Sequence, residues 1–247
     1  MIKTEIAVIS DIHGNSIALK EVLNDIKSRG INTIINLGDS LYGPLDSKGT
    51  FDLIIENNIK SISGNQDRFI LENLKKESDS ETLEFVKSQI NSKIIEWLKS
   101  LYFDLIFNES LYCCHGTPQN DTLYLLEDLH ENYVTVKQET ELEKTLIDIQ
   151  QNIVICAHSH VSRVVKTKTK TIINAGSVGC PAYHDDLPIY HKMENFSPHA
   201  RYVILKPHKS SIIVEQVSLD YDFEQAAKIA GTNNRPDWVN WIRTGIA

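Results

Sequence analysis

Asp11-Ile-His13, near the start of the chain, is answered far downstream by His158-Ser-His160. Between them stand Gly38-Asp39, Gly64-Asn65 and Cys114-His115-Gly116. Together they offer seven oxygen and nitrogen donors: Asp11, His13, Asp39, Asn65, His115, His158 and His160. Carboxylate, imidazole and amide oxygen suit hard to intermediate divalent ions such as Mn, Fe, Ni or Zn. No cysteine is among the seven, which argues against a structural zinc site. With one carboxylate shared, seven donors supply four to each of two ions and leave positions open for water and substrate. Ion pairs about 3.5–4 Å apart deprotonate a bridging water and hydrolyse phosphoesters.

Each element is weak by itself. A lone His115 is more often a satisfied strand-end histidine, and Asn65 after a glycine is a common turn residue. His158-Ser-His160 alone reads as a surface turn. Order and placement make the case, so the elements that hold the donors matter.

Residues 5–10 are an apolar run that reads as a buried strand. Asn15 or Ser16 caps a helix over 17–28, with Ile17, Leu19, Val22, Leu23 and Ile26 at helical spacing. Residues 33–37 read as a second strand, 47–57 as a helix, and 59–63 as a strand running into Gly64-Asn65. This alternation predicts α/β architecture with a parallel sheet. Residues 69–101 read as a charged helical cap of two helices broken near Ser78. Then the texture changes. Strands at 105–108, 111–114 and 153–156 surround a helix at 138–149. Residues 161–167 pair with 171–174, and 201–206 with 212–218, which predicts a second sheet made largely of hairpins. Residues 222–247 form a helical extension whose Trp238 and Trp241 are expected to pack on the core. Asp11, Asp39, Asn65, His115 and His158 all fall just past a strand, where ligands bind in open α/β sheets.

At 247 residues the chain is expected to be one large domain over 1–247. Its 41% hydrophobic and 23% charged residues are ordinary for a globular protein. A net charge of −8 carries no footprint for nucleic acid, and no stable nucleic-acid partner is expected. No segment approaches the roughly 18 apolar residues of a membrane span. The first ten residues lack a signal-peptide pattern, so the cytoplasm is the expected location. Cys113, Cys114, Cys156 and Cys180 show no Cys-x-x-Cys spacing and read as reduced, buried thiols, the adjacent pair facing opposite ways.

The motifs resemble the calcineurin-like metallophosphoesterase family. They are Ser10-Asp-Ile-His-Gly-Asn15, Leu37-Gly-Asp39, Gly64-Asn-Gln-Asp67, Cys114-His-Gly116 and Ala157-His-Ser-His160, in a resemblance covering residues 5–206. The resemblance implies a four-layer α/β/β/α sandwich of two mixed sheets. It implies that Asp11, His13 and His160 bind one metal, that Asn65, His115 and His158 bind a second, and that Asp39 bridges. Two Mn ions are expected, with Fe, Ni, Zn or Mg as alternatives. Within the family, Ile173-Asn-Ala-Gly-Ser-Val-Gly-Cys-Pro181 is similar to a glycine-rich loop of the small bacterial phosphodiesterase branch. Its backbone is expected to approach a phosphate; a plain strand-to-turn connection is the alternative.

One departure is informative. Many family members carry a histidine where this chain has Gln66. Glutamine donates a hydrogen bond but is no general acid near neutral pH, which favours good leaving groups. Asp67 is expected to orient a metal-bound histidine from behind. The long polar stretch between Pro181 and Arg201 holds His184, His191 and His199. One of these histidines, or Arg201, is expected to reach the substrate, with incidental loop histidines as the alternative. Arg68 is either a phosphate partner or an exposed helix-start arginine, and Tyr42 and Pro44 border the pocket or simply pack. The leading expectation is hydrolysis of small phosphodiesters or nucleotide phosphoanhydrides, dinucleoside polyphosphates among them. A phosphomonoesterase or protein phosphatase, a nuclease, and a non-catalytic metal-binding scaffold are the alternatives. Lost ligands would mark a scaffold, and none of the seven is missing.

Overall fold

In the first strand, β1 (Ile6–Ile9), every residue is buried, and the pleat sends Ile6 and Val8 one way and Ala7 and Ile9 the other. A strand buried on both faces needs a layer on each side, and the chain supplies both. The computed structural model describes residues 2–209 and 211–247. After β1 come α1 (Ser16–Ser28), β2 (Ile34–Asn36), α2 (Ser47–Glu56) and β3 (Lys60–Ser61). Three helices follow, α3 (Asn65–Asn73), α4 (Glu81–Gln89) and α5 (Ser92–Ser100). Next are β4 (Asp104–Asn108), β5 (Leu111–Cys114), β6 (Glu127–His130), β7 (Tyr133–Val136), α6 (Glu139–Thr145), β8 (Ile153–Cys156), β9 (Arg163–Lys166) and β10 (Thr171–Asn174). The chain continues through β11 (Ala182–Asp185), β12 (His191–Glu194), β13 (Ala200–His208) and β14 (Ser211–Leu219) to α7 (Phe223–Thr232) and α8 (Pro236–Thr244).

The strands form two five-stranded mixed sheets, β14-β13-β1-β2-β3 and β4-β5-β8-β10-β9. Val8, Ile35, Leu37 and Val203 of the first sheet meet Leu111, Cys113, Ile155 and Ile173 of the second. The opposite face of the first sheet packs on α1, α7 and α8 through Ala7, Leu19, Val22, Tyr202, Ala227 and Trp241. The outer face of the second sheet, with Tyr112, Cys114 and Val154, packs on Leu142 and Leu146 at α6. The order is therefore α/β/β/α. Cys113 and Cys114 fall into different layers, and all four thiols are free and buried.

Three expectations need correction. The β13–β14 hairpin does not join the second sheet; β13 pairs antiparallel with β1, Val8 opposite Val203. The core of the second sheet is parallel, β5 with β8 and β8 with β10, so it is not built mostly from hairpins. The helical cap holds three helices, not two, gathered around Leu41, Ile70, Leu83, Val86, Ile94 and Leu98. α4 stops at Gln89 with Ile90 as its cap, and Asn91 caps α5, its side chain accepting from the Ile94 N–H at 3.1 Å.

Candidate metal centre

The parallel strands β1, β2 and β3 of one sheet and β5 and β8 of the other end on a common side, and each is followed by donor residues. Past the strands the backbone pairing continues between loops. The N–H groups of Asp11 and His13 donate to the carbonyls of Gly38 and Asp39, both at 3.0 Å. The Ala157 N–H donates to the His115 carbonyl at 2.8 Å. Asp11, His13, Asp39, His158 and His160 all have φ between 50° and 70°. Side chains seldom adopt this left-handed backbone, which costs roughly 1–2 kcal/mol per residue. Five of the seven candidate ligands in that region mark a site where strain turns side chains inward.

Two triads result, Asp11 with His13 and His160, and Asp39 with His115 and His158; within each, the donor atoms lie within 4.8 Å of one another. Three rings are locked from behind. The Nδ1–H of His13 donates to the Tyr42 carbonyl at 2.9 Å, that of His115 to Leu37 at 2.9 Å, and that of His160 to Cys180 at 2.7 Å. These bonds turn each Nε2 toward the cluster. There the Nε2 atoms of His13 and His160 are 3.0 Å apart, and His115 Nε2 is 3.0 Å from Asn65 Oδ1. His158 stacks on Tyr124, ring centroids 4.7 Å apart.

Both carboxylate oxygens of Asp11 are buried without a hydrogen bond, although His160 Nε2 lies 3.5 Å from Oδ1. A buried carboxylate is costly unless a cation meets it. The electrostatics agree. Burial would raise Asp11 and Asp39, yet the imidazoles of His160 and His115 beside them hold both below the usual carboxylate range. Burial would depress His160 and His115, yet the same carboxylates lift them to about 10 and about 9. Burial pushes His13 and His158 down to about 4, reinforced by His160 and His115. Convergent lone pairs, unsatisfied carboxylate oxygens and no thiolate fit two hard to intermediate divalent cations.

The supporting residues differ in part from expectation. Asp67 contacts backbone and not a histidine: its carboxylate accepts from the Ser40 N–H at 3.1 Å and the Gly64 N–H at 3.0 Å. It thereby ties the Asp39 loop to the Asn65 loop, and burial with the nearby Asp39 raises it to about 7. The glycine-rich loop faces protein where a phosphate was expected. Val178 and Gly179 donate N–H groups to the carbonyls of Ser10 and Asp11, and the Ser177 hydroxyl donates to the same Asp11 carbonyl at 2.7 Å. Asn174 holds the other loop, donating to the Ala157 carbonyl at 2.8 Å and to Ser159 Oγ at 3.0 Å. The loop thus staples the donor loops of the two sheets together.

The cluster opens into a cavity of about 200 Å³ whose wall includes Tyr42, Gln66, Tyr183, His184, Arg235 and Trp238. Gln66 and His184 are therefore at the site. The stretch between Pro181 and Arg201 is no loop but the β11–β12 hairpin. His191 lies within it, fully buried, its Nε2 2.9 Å from the Tyr124 hydroxyl and its Nδ1 2.8 Å from the Ile189 carbonyl. It braces the tyrosine that stacks on His158. His199 bonds Ser197 Oγ at 2.6 Å, and Arg201 donates to Ser218 Oγ and the Asn195 carbonyl; neither lines the cavity. Arg68 forks onto Asp121 at 2.8 and 2.9 Å, which makes it structural. Sequence reasoning missed Tyr124, Tyr183 and Arg235. The Arg235 guanidinium is held by Asp237 and Thr82 over the Trp238 ring. An arginine before a helix-start proline carries no sign that it will face the site.

Behind His158, Glu127 is buried beside Arg163, 3.2 Å away, and burial raises its carboxyl to about 7. The folded state therefore holds this proton more tightly than the unfolded chain, where it leaves near the ordinary value of 4.5. The stability this contributes is full below that value and is lost as pH rises to about 7. Glu127→Gln should flatten the fall, gaining up to about 2 kcal/mol on the wild type between pH 5 and 7.5. Melting temperatures across that range check it; parallel curves for the two proteins would refute it.

The sequence profile of the calcineurin-like phosphoesterase superfamily domain matches residues 4–193, and the chain belongs to that superfamily. An uncharacterized protein of Methanocaldococcus jannaschii is 28% identical to it over 97% of both chains. Among solved structures, a metallophosphoesterase from Sphaerobacter thermophilus shares the fold with a TM-score of 0.73 at 19% identity, covering 98% of each chain. A hypothetical protein from Pyrococcus horikoshii OT3 gives 0.74 at 17% identity over 98% of this chain and 99% of its own. Among the described residues no helix is long and apolar enough to cross a membrane.

Proposed function

We propose that the cluster holds two divalent cations, Mn by preference, and hydrolyses small phosphodiesters or nucleotide phosphoanhydrides. The two convergent donor triads carry this reading. Asp11, His13 and His160 would hold one cation, and Asn65, His115 and His158 the other. Asp39 would be shared between them: its Oδ1 accepts from the Gln66 N–H at 2.8 Å, and its Oδ2 faces His115 at 3.4 Å. When bound, such a cation pair would supply a water acidic enough to be the nucleophile and would neutralise phosphoryl oxygens. The protein's own groups position the rest. Gln66, whose Oε1 is buried without a hydrogen bond, stands at the lip and offers an amide N–H to the leaving oxygen. It has no proton to give, so activated diesters and anhydrides are favoured over alkyl monoesters. A structure described as a putative diadenosine tetraphosphatase has the same fold, with a TM-score of 0.55 at 18% identity over 89% of this chain and 95% of its own. That resemblance puts dinucleoside polyphosphates on the substrate panel. His184 borders the cavity and is the one of the three expected histidines retained as a substrate contact.

Purified protein loaded with Mn and offered bis-aryl phosphate, aryl monophosphate, cyclic nucleotides and dinucleoside polyphosphates tests the reading. Faster diester or anhydride cleavage supports it; monoester cleavage alone would favour the phosphomonoesterase alternative. Arg235, a cation in the cavity wall, is placed to hold a non-reacting phosphoryl oxygen. Arg235→Ala should raise KM on the order of tenfold with a smaller change in kcat, and Arg235→Lys should recover part of it. An unchanged KM in both variants would remove Arg235 from the site.

A further inference from the structure

A second cavity, of about 520 Å³, adjoins the metal centre on the far side of Asn65 and His158, which line both spaces. Tyr124 and Asp185 are also common to the two walls, so the cavities flank the donor cluster and do not lie apart from it. Their characters differ. The smaller one lies under Trp238 and Trp241, already buried, with Arg235 as its cation. The larger one is walled by Leu123, Leu187 and Ile189, which are 54%, 75% and 39% exposed. Single exposed aliphatics are ordinary on a protein surface. Three converging on one cavity beside a catalytic cluster form a patch that awaits a ligand. Leu187 and Ile189 come from the tip of the β11–β12 hairpin, while Leu123 comes from the loop after β5, so two separate segments build the wall. Thr122 and Asp128 line the same cavity, while the Glu127 carboxylate at its wall is turned to Arg163, 3.2 Å away.

We infer that this cavity is the subsite for a nucleoside attached to the scissile phosphorus, and that the smaller cavity takes the less bulky substituent. The inference rests on the phosphodiesterase reading and names its substrate class: asymmetric diesters or anhydrides with at least one nucleoside. The volumes decide the sides. Small-molecule sites run from about 300 to 1,000 Å³, a range that includes the larger cavity and excludes the smaller. The lining decides the ligand. The exposed aliphatic side chains suit the faces of a flat ring, and Thr122 and Asp128 in the same wall suit the polar edge of a base or a sugar hydroxyl. An acyl chain would leave those polar groups unmatched.

The test compares the p-nitrophenyl ester of thymidine 5′-monophosphate with p-nitrophenyl methyl phosphate, in which a methyl group replaces the nucleoside. The wild type should prefer the nucleoside ester by at least about tenfold in kcat/KM. Leu123→Ser with Leu187→Ser should cut that preference below about threefold, both side chains being too exposed for the fold to depend on them. Ile147→Ser, an exposed aliphatic outside both cavity walls, should leave the preference intact. A preference that survives the double substitution would overturn the inference, as would its absence from the wild type. Calorimetric binding of thymidine 5′-monophosphate to the metal-loaded protein judges the cavity separately. Binding weakened about tenfold or more by the double substitution supports the subsite even if neither ester is cleaved, a result that would instead remove the diesterase reading. Equal binding by both proteins would overturn the subsite while leaving that reading in place.

Discussion

Asp39→Asn should lower turnover of an activated diester by on the order of a thousandfold or more. The substitution is nearly isosteric. The amide oxygen keeps the hydrogen bond from the Gln66 N–H, so the loop has no reason to move. What disappears is the negative charge at the proposed bridging position, and the group facing His115 at 3.4 Å becomes an N–H, which cannot be a ligand. Metal content should fall with activity, while circular dichroism remains that of the wild type. Wild-type turnover with two metals still bound would show that Asp39 is not the bridge.

Gly179→Ala should be nearly as damaging, by another route. A Cβ at this position would stand 1.8 Å from the Ile12 carbonyl oxygen, and that carbonyl is backbone that has nowhere to retreat. Ile12 lies between Asp11 and His13, two of the three donors in one triad. Overpacking at a buried contact of this kind costs about 3 kcal/mol or more, roughly 6–10 °C in melting temperature for a chain of this length. Displacing two of the proposed ligands should also weaken metal binding by on the order of 10–100-fold. A loop that cradled the substrate phosphate would behave differently, with raised KM and unchanged stability and metal content. Thermal melts with and without added Mn separate the two.

The donors were legible in the sequence for a local reason. Each follows closely on a strand, and at Asp11-Ile-His13, Asp39, Asn65 and His115 an adjacent glycine marks the place. Gly64 is such a case: its missing Cβ is what lets Asp39 Oδ1 approach, 2.1 Å from where that Cβ would be. The parallel half of the first sheet was legible too, since the strand–helix rhythm carries its own connectivity. Partners distant in sequence were not. β13 alternates Tyr202 and Ile204 toward one layer with Val203 and Leu205 toward the other, so its pattern reports burial on both faces without naming the sheet. The hairpin at β11 and β12 reads as loop because Tyr183, His184 and Asp185 are spent on walling the site. Gly179 did signal a close backbone approach, but its type could not say that the neighbour is the Ile12 carbonyl and not a phosphate. Arg235 and Trp238 reach the cavity only because α8 folds back across the first sheet's outer layer.

The most direct test of the two-cation site is a crystal structure of the Mn-loaded protein with an anomalous difference map at the Mn edge. Two peaks about 3.5–4 Å apart are expected. One should lie against Asp11, His13 and His160, the other against Asn65, His115 and His158, with an Asp39 oxygen between them. A single peak, or two peaks with Asp39 bound to only one, would contradict the account.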